Sequence, residues 1–153
     1  MSVCKGIFKD AFEIANATER SLAFRPRSDT MYLYGIDSAW FTAFDGGIYQ
    51  WLKDGGNGGR NKDARTLFFY IATVDTPAMV LEMVGVGSQY ALAAEDSEGR
   101  YLDGAQNYKL TIPANVPAKD FWLLVVYDPQ TRSMLQTDQS FPSKNNERNQ
   151  DLV

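Results

Sequence analysis

Apolar residues recur at steps of three and four near the start of the chain. Val3, Ile7, Phe8, Ala11, Phe12, Ala15, Thr18 and Leu22 form one stripe. Lys5, Lys9, Asp10, Glu13, Asn16, Glu19 and Arg20 fall mostly between them. That period predicts a helix over 3–23. Arg25-Pro26-Arg27 ends it, because proline lacks an N–H and restricts the residue before it. Residues 31–36 are aromatic and read as a strand or an extended segment. Residues 38–44 suit a short helix capped by Asp37 or Ser38. Asp45-Gly46-Gly47 forces a turn. Residues 48–52 fit strand or helix, and the glycine-rich text over 53–60 reads as a flexible loop. A second helix opens at Asp63, with Leu67, Tyr70, Ile71 and Val74 on its apolar face and Phe68 and Phe69 widening it. Thr76 and Pro77 are placed to cap and start a third, reaching about residue 84. Gly85 and Gly87 end it.

The pattern then changes. Residues 89–95 and 100–102 flank the turn text Asp96-Ser97-Glu98-Gly99, which predicts a hairpin. Two apolar runs, 108–112 and 121–127, are too short for a typical helix and rich in aromatic, β-branched and large aliphatic residues, so they read as antiparallel strands. Phe121 and Trp122 are neighbours and must point to opposite faces of a strand. Trp122 is expected to be a buried anchor. After Phe141-Pro142 the text turns polar, and 143–153 reads as a tail. The expected fold is therefore α+β. A helical segment over 1–84 packs on an antiparallel β region over 85–142, as one domain overall.

A fixed pattern runs through the second half. It is D-G-x-x-N-Y-x-L-x-x-P-x-N-x-P-x-x-x-F-W, then Y-D-x-x-T-R-S-M-L. It is carried by Asp103, Gly104, Asn107, Tyr108, Leu110, Pro113, Asn115, Pro117, Phe121, Trp122, Tyr127, Asp128, Thr131, Arg132, Ser133, Met134 and Leu135. So many fixed spacings make a specific signature. It resembles the bacterial domain of unknown function 1214, and the text upstream, from Phe8 onward, is similar to what precedes that signature. The resemblance implies a jelly-roll-like β-sandwich and a homo-oligomer, and brings no established activity. Such proteins usually carry domain of unknown function 1254 on the N-terminal side and are often exported to the bacterial envelope. No stretch here corresponds to that upstream domain, and members continue past the Phe-Pro-Ser segment. The chain is thus expected to be an incomplete domain whose strands recruit another copy.

Composition narrows the chemistry. The 153 residues suffice for a real core, and 44% hydrophobic with 22% charged residues is ordinary globular usage. A net charge of −4 argues against non-specific nucleic-acid binding, which needs a basic face. Cys4 is the only cysteine and histidine is absent. That removes intrachain disulfides, thiolate clusters, imidazole metal sites and Ser-His or Cys-His pairs. Any activity is expected to be independent of Cys4 and of a transition metal, and no cofactor is implied. No apolar run approaches the roughly 20 residues of a membrane helix, and residues 1–12 lack a secretory h-region.

Among candidate sites, the plain readings lead. The loop text GGNGGRNKDAR with Arg60 and Lys62 invites an anion cradle, but matches neither phosphate-loop pattern, so a plain loop is preferred. Asn16-Ala17-Thr18 lies in a helix and reads as a chance sequon. Ser133 has no base beyond Lys109 or Lys119, which no spacing supports. Asp103, Asp120 and Asp128 flank strands, where carboxylate pairs can work on glycosidic bonds, yet Asp-Gly and Asp-Pro are ordinary turn text. Asp96, Glu98 and Asp103 do not match an EF-hand loop. The β-region aromatics Tyr90, Tyr101, Tyr108, Phe121, Trp122 and Tyr127 read first as core or interface, then as the lining of a cleft. The candidate ligand-binding set is Tyr101, Asp103, Tyr108, Tyr127, Asp128 and Arg132. The favoured function is a structural and assembly module that holds a small ligand. The alternative is a histidine-independent hydrolase acting on a carbohydrate or other small molecule.

Overall fold

The computed structural model describes residues 2–53, 56–57 and 59–146, with side chains from Cys4 onward. The chain divides into two units, Met1–Gly104 and Ala105–Val153. The sequence pattern places its own boundaries at 84 and 142. The class is α+β: helices, and a small antiparallel sheet.

In the first unit, α1 runs Ser2–Phe24 and stops where proline makes it stop: the last helical bond is Arg25 N–H to Ser21 O, 3.1 Å. Its apolar stripe is used at one end only. Leu22 is buried at 2% exposure, whereas every residue from 4 to 17 is exposed. The second helix, α2, runs Lys62–Ala72 and is capped by Asn61, one residue ahead of its start. Ala64, Leu67, Phe68 and Ile71 fall at i, i+3, i+4 and i+7, and that stripe packs into the core with Leu22, Met31, Phe41, Phe44 and Trp51. Phe44 lies between Phe68 (edge to face, 5.5 Å) and Tyr90 (stacked, 5.8 Å). The third helix, α3, runs Pro77–Val80, with Thr76 accepting from Met79 N–H at 3.3 Å. It is shorter than the pattern predicts, because Leu81 is already extended.

The expected helix over 38–44 does not form. Phe41 exchanges both of its backbone bonds with Leu92, at 2.9 and 2.8 Å, and also bridges Tyr32. Thr42 N–H donates to Met31 O at 2.8 Å. These pairings use the backbone groups a helix would need, and they bury Phe41 and Met31 together. A short 3-10 turn, Asp29–Met31, leads into residues 31–36, which hold a single bridge at Tyr32 rather than a strand. The predicted hairpin at 96–99 is present in reduced form: Glu95 bridges Tyr101, and Leu102 N–H donates to Ala94 O at 2.9 Å.

Asn61 ties three segments together at 2% exposure. Its side-chain oxygen accepts from Ala64 N–H at 3.1 Å, and its amide donates to the Asp45 carboxylate. Its own N–H donates to Trp51 O at 2.7 Å and its carbonyl accepts from Arg65 N–H at 3.2 Å. Each polar group is used, as burial requires. The two ends of the 53–60 loop are thereby clasped. Leu52 bridges Arg60, and Lys53 N–H donates to Gly59 O at 2.9 Å. Asp54, Gly55 and Gly58 lie outside the described residues.

In the second unit, β1 (Leu123–Val125) pairs antiparallel with β2 (Ser143–Asn145), in the register Leu123 to Asn145, Leu124 to Lys144 and Val125 to Ser143. The sequence pattern assigns Ser143–Asn145 to a polar tail. Trp122 N–H donates to Asn146 Oδ1 at 3.1 Å and extends the pairing. The expected strand over 108–112 does not form: none of these residues belongs to a strand or a bridge. No described residue between 105 and 146 is buried; Trp122, expected as a buried anchor, is only half-buried. A two-stranded ladder cannot enclose an indole, which needs a second layer over it.

Candidate functional site

The end of α1 and the residues after it form one side of a hollow of about 220 Å³ in the Met1–Gly104 unit. Phe24, Tyr32 and Phe41 supply apolar wall; Arg25, Asp37 and Glu95 supply charge. Pro26, which stops the helix, also fixes this wall: its carbonyl accepts from Tyr32 Oη at 2.9 Å. Tyr101 packs edge to face on Phe24 at 5.1 Å, and Arg25 faces Glu95 at 3.7 Å.

Asp96 borders the same hollow and shapes a turn. Its carboxylate accepts from Glu98 N–H at 2.9 Å, from Arg100 N–H at 3.0 Å and from Arg100 Nε at 3.0 Å. The Arg100 backbone donor, above all, holds it below the usual carboxylate range, with the Glu98 amide and the guanidinium adding to it. A general acid at neutral pH needs the opposite shift. Asp96 is therefore an ionised acceptor that fixes a loop. Gly99 follows at φ +74°, in the left-handed region that the turn requires.

The six residues singled out by sequence fall in two places. Tyr101 and Asp103 lie in the first unit, and Tyr108, Tyr127, Asp128 and Arg132 in the second. One turn brings three of the latter together. Tyr127 bridges Met134, Asp128 N–H donates to Ser133 O at 2.9 Å, and Arg132 N–H donates to Asp128 O at 2.8 Å. The Asp128 carboxylate accepts from Gln130 N–H at 2.7 Å and Thr131 N–H at 2.9 Å. Those two amides, Thr131 first, pull its pKa down. Arg132 adopts φ +62°, a position more often given to glycine or asparagine. This is the Asx-turn chemistry that Asp-Pro text favours.

A second, open depression of about 540 Å³ lies along Arg27, Lys53, Arg60 and Lys62, interrupted by Asp29 and Asp63. Arg27 is committed to Asp63 by a two-point clamp of 2.9 and 2.7 Å. The basic text around the glycine-rich loop is thus partly neutralised by its own carboxylates. Among the described residues, no group of three or more His, Cys, Asp or Glu could hold a metal ion. No helix among them is long and apolar enough to cross a membrane.

Sequence reasoning missed Phe24, Arg25, Tyr32 and Glu95 as neighbours. Arg25-Pro26 carries the nearest signal, but it is read as a helix stop and no more. By contrast, the signature that begins at Asp103 is recognisable as text. Residues 87–153 match the family model of a protein of unknown function, DUF1214. The resemblance to DUF1214 therefore holds over that stretch, which is less than half of the chain. No curated protein and no solved structure matches. The DUF1214 segment takes in all six candidate residues and the Asp96 and Asp128 turns, while α1, α2 and most of the core precede it.

Proposed function

We propose that this chain is an assembly module, a jelly-roll-like sandwich whose strands are completed by another copy of itself. One observation supports the reading. No described residue between 105 and 146 is buried, and Tyr108, Leu110, Phe121, Leu123, Val126 and Tyr127 all stand exposed. Apolar area left in water costs about 25 cal/mol per Å² relative to burial, so a second surface that covers these side chains is favoured. Unpaired strand edges add donors and acceptors that seek partners. The hollow beside Phe24 and Arg25 suits a small polar molecule with a flat apolar face, with Tyr101 at its border.

Sedimentation velocity of the full chain at micromolar concentration, across moderate salt, tests the assembly. An oligomer that persists in salt is expected, and Leu123→Lys should dissociate it by placing charge on the strand. A wild-type chain that stays a monomer with one cooperative thermal transition would overturn the proposal.

A further inference from the structure

The exposed stretch of α1 is a second apolar surface, on a different element. From Cys4 to Thr18, apolar and small residues keep a heptad: Cys4, Ala11 and Thr18 at d, Phe8 and Ala15 at a. Ile7 and Ile14 widen the stripe on one side (g) and Phe12 on the other (e). Phe8 and Phe12 are 76% and 70% exposed, and Ile7 and Ile14 63% and 68%. Nothing in the described unit covers them, although the helix is well formed.

We infer that α1 pairs antiparallel with α1 of a second copy. The charges select this partner and this direction. When two such helices run antiparallel with a layers facing d layers, Phe8 meets Thr18 of the partner subunit and Ala11 meets Ala15 of the partner subunit. Residues at e then face residues at e. Lys5 falls opposite Glu19 of the partner subunit, and the reverse, while Phe12 meets its own copy on the two-fold axis. Ile14 meets its own copy on the other flank. The contact is isologous, as a closed dimer requires. Small Ala11 and Ala15 at the centre let the axes approach to the short end of the usual 8–10 Å. A parallel pair would instead set e against g, so that Glu19 would face Ile14 of the partner subunit and Lys5 would have no anion opposite it. The stripe from Lys5 to Glu19 spans about 21 Å at 1.5 Å per residue. Two heptads are few for a coiled coil, so the flanking Ile and Phe side chains carry much of the pairing.

A lipid surface is the weaker occupant. The polar residues of α1 carry three cations, Lys5, Lys9 and Arg20, and three anions, Asp10, Glu13 and Glu19. Helices that lie on anionic membranes carry an excess of Lys and Arg on that face. Lys9 is moreover spent on Glu13 of its own helix, at 3.7 Å.

This pairing uses a different surface from the strand assembly proposed above, and shares with it only that the partner is a second copy. Sedimentation equilibrium of the full chain tests it, with far-UV circular dichroism to verify that each variant stays helical. Phe12→Glu should weaken self-association at least tenfold. Lys5→Glu should weaken it by a smaller factor, and Lys5→Glu combined with Glu19→Lys should restore it. Cysteine oxidation reads the direction. Cys4 is exposed, yet an antiparallel pair keeps the two Cys4 thiols far apart, so the wild type should not cross-link through it. Ile14→Cys in a Cys4→Ser background should cross-link readily. A Cys4-linked dimer overturns the antiparallel geometry. An assembly that Phe12→Glu leaves intact but Leu123→Lys dissolves overturns the α1 pairing and spares the strand reading. A wild-type monomer, free or captured on phosphatidylserine vesicles, overturns both.

Discussion

The two units of this chain draw on similar side chains and treat them in opposite ways. Within Met1–Gly104, Phe41, Phe44, Trp51 and Phe68 are buried around α2. Within 105–146, Tyr108, Phe121, Leu123 and Tyr127 are exposed around a two-stranded ladder. Aromatic content does not make a core. A helix offers a wide apolar stripe, and three or four short segments can close over it. A single ladder offers two faces and covers neither.

The contrast can be broken most sharply at Phe41. Its ring is 2% exposed and its backbone links two distant segments. Phe41→Ala should cost about 3–5 kcal/mol, read as a lowered urea midpoint. Asn61→Ala comes next. It removes the cap of α2 and leaves Asp45 without its amide donor, so a loss of about 2 kcal/mol is expected in the same assay. Trp122→Ala should fall well below both, at about 1 kcal/mol, because a half-buried indole on a ladder leaves no closed cavity. That small figure holds for the dissociated chain; at the micromolar concentrations of the proposed strand assembly, where a second copy covers Trp122, the loss should rise toward that of Phe41.

The smallest effect should be electrostatic. Asp128 has its pKa lowered in the folded chain by the Thr131 and Gln130 amides. A group with a depressed folded pKa contributes stability above its unfolded value, near 3.9, and loses it as pH falls through the folded value. Acidification below about pH 4 should therefore loosen the 128–133 turn, seen as faster amide exchange at Gln130 and Thr131. Asp128→Asn should remove most of that pH dependence. Asp96 should behave alike at Glu98 and Arg100.

What could be read from sequence was local. The bounds of α1 follow from its three-and-four spacing and from Pro26. Thr76-Pro77 announces α3, and Asp96 and Asp128 announce their turns. Where reading failed, a distant partner decided. Residues 38–44 have helical text, but Leu92 claims both polar groups of Phe41. Residues 143–145 look like tail and become β2 because β1 stands opposite. Asn61 does not stand out as a cap in the sequence, because Asp63 is the more conspicuous acidic start. The candidate site divided the same way. The Asp128 turn was legible in its dipeptide. The hollow was not, since Glu95 is distant in the chain from Phe24 and Tyr32.

The clasp at the base of the 53–60 loop has a practical consequence. Leu52 and Arg60 are bridged, and Asn61 is bonded to Trp51 at 2.7 Å, so the loop enters and leaves the unit at one fixed gate. Whatever lies between those posts does not have to bring the ends together. Doubling a flexible loop costs only about 0.6 kcal/mol in closure entropy. This gate is accordingly the place to graft an epitope, a fluorophore-bearing peptide or a small reporter domain, with α2 and its cap left untouched.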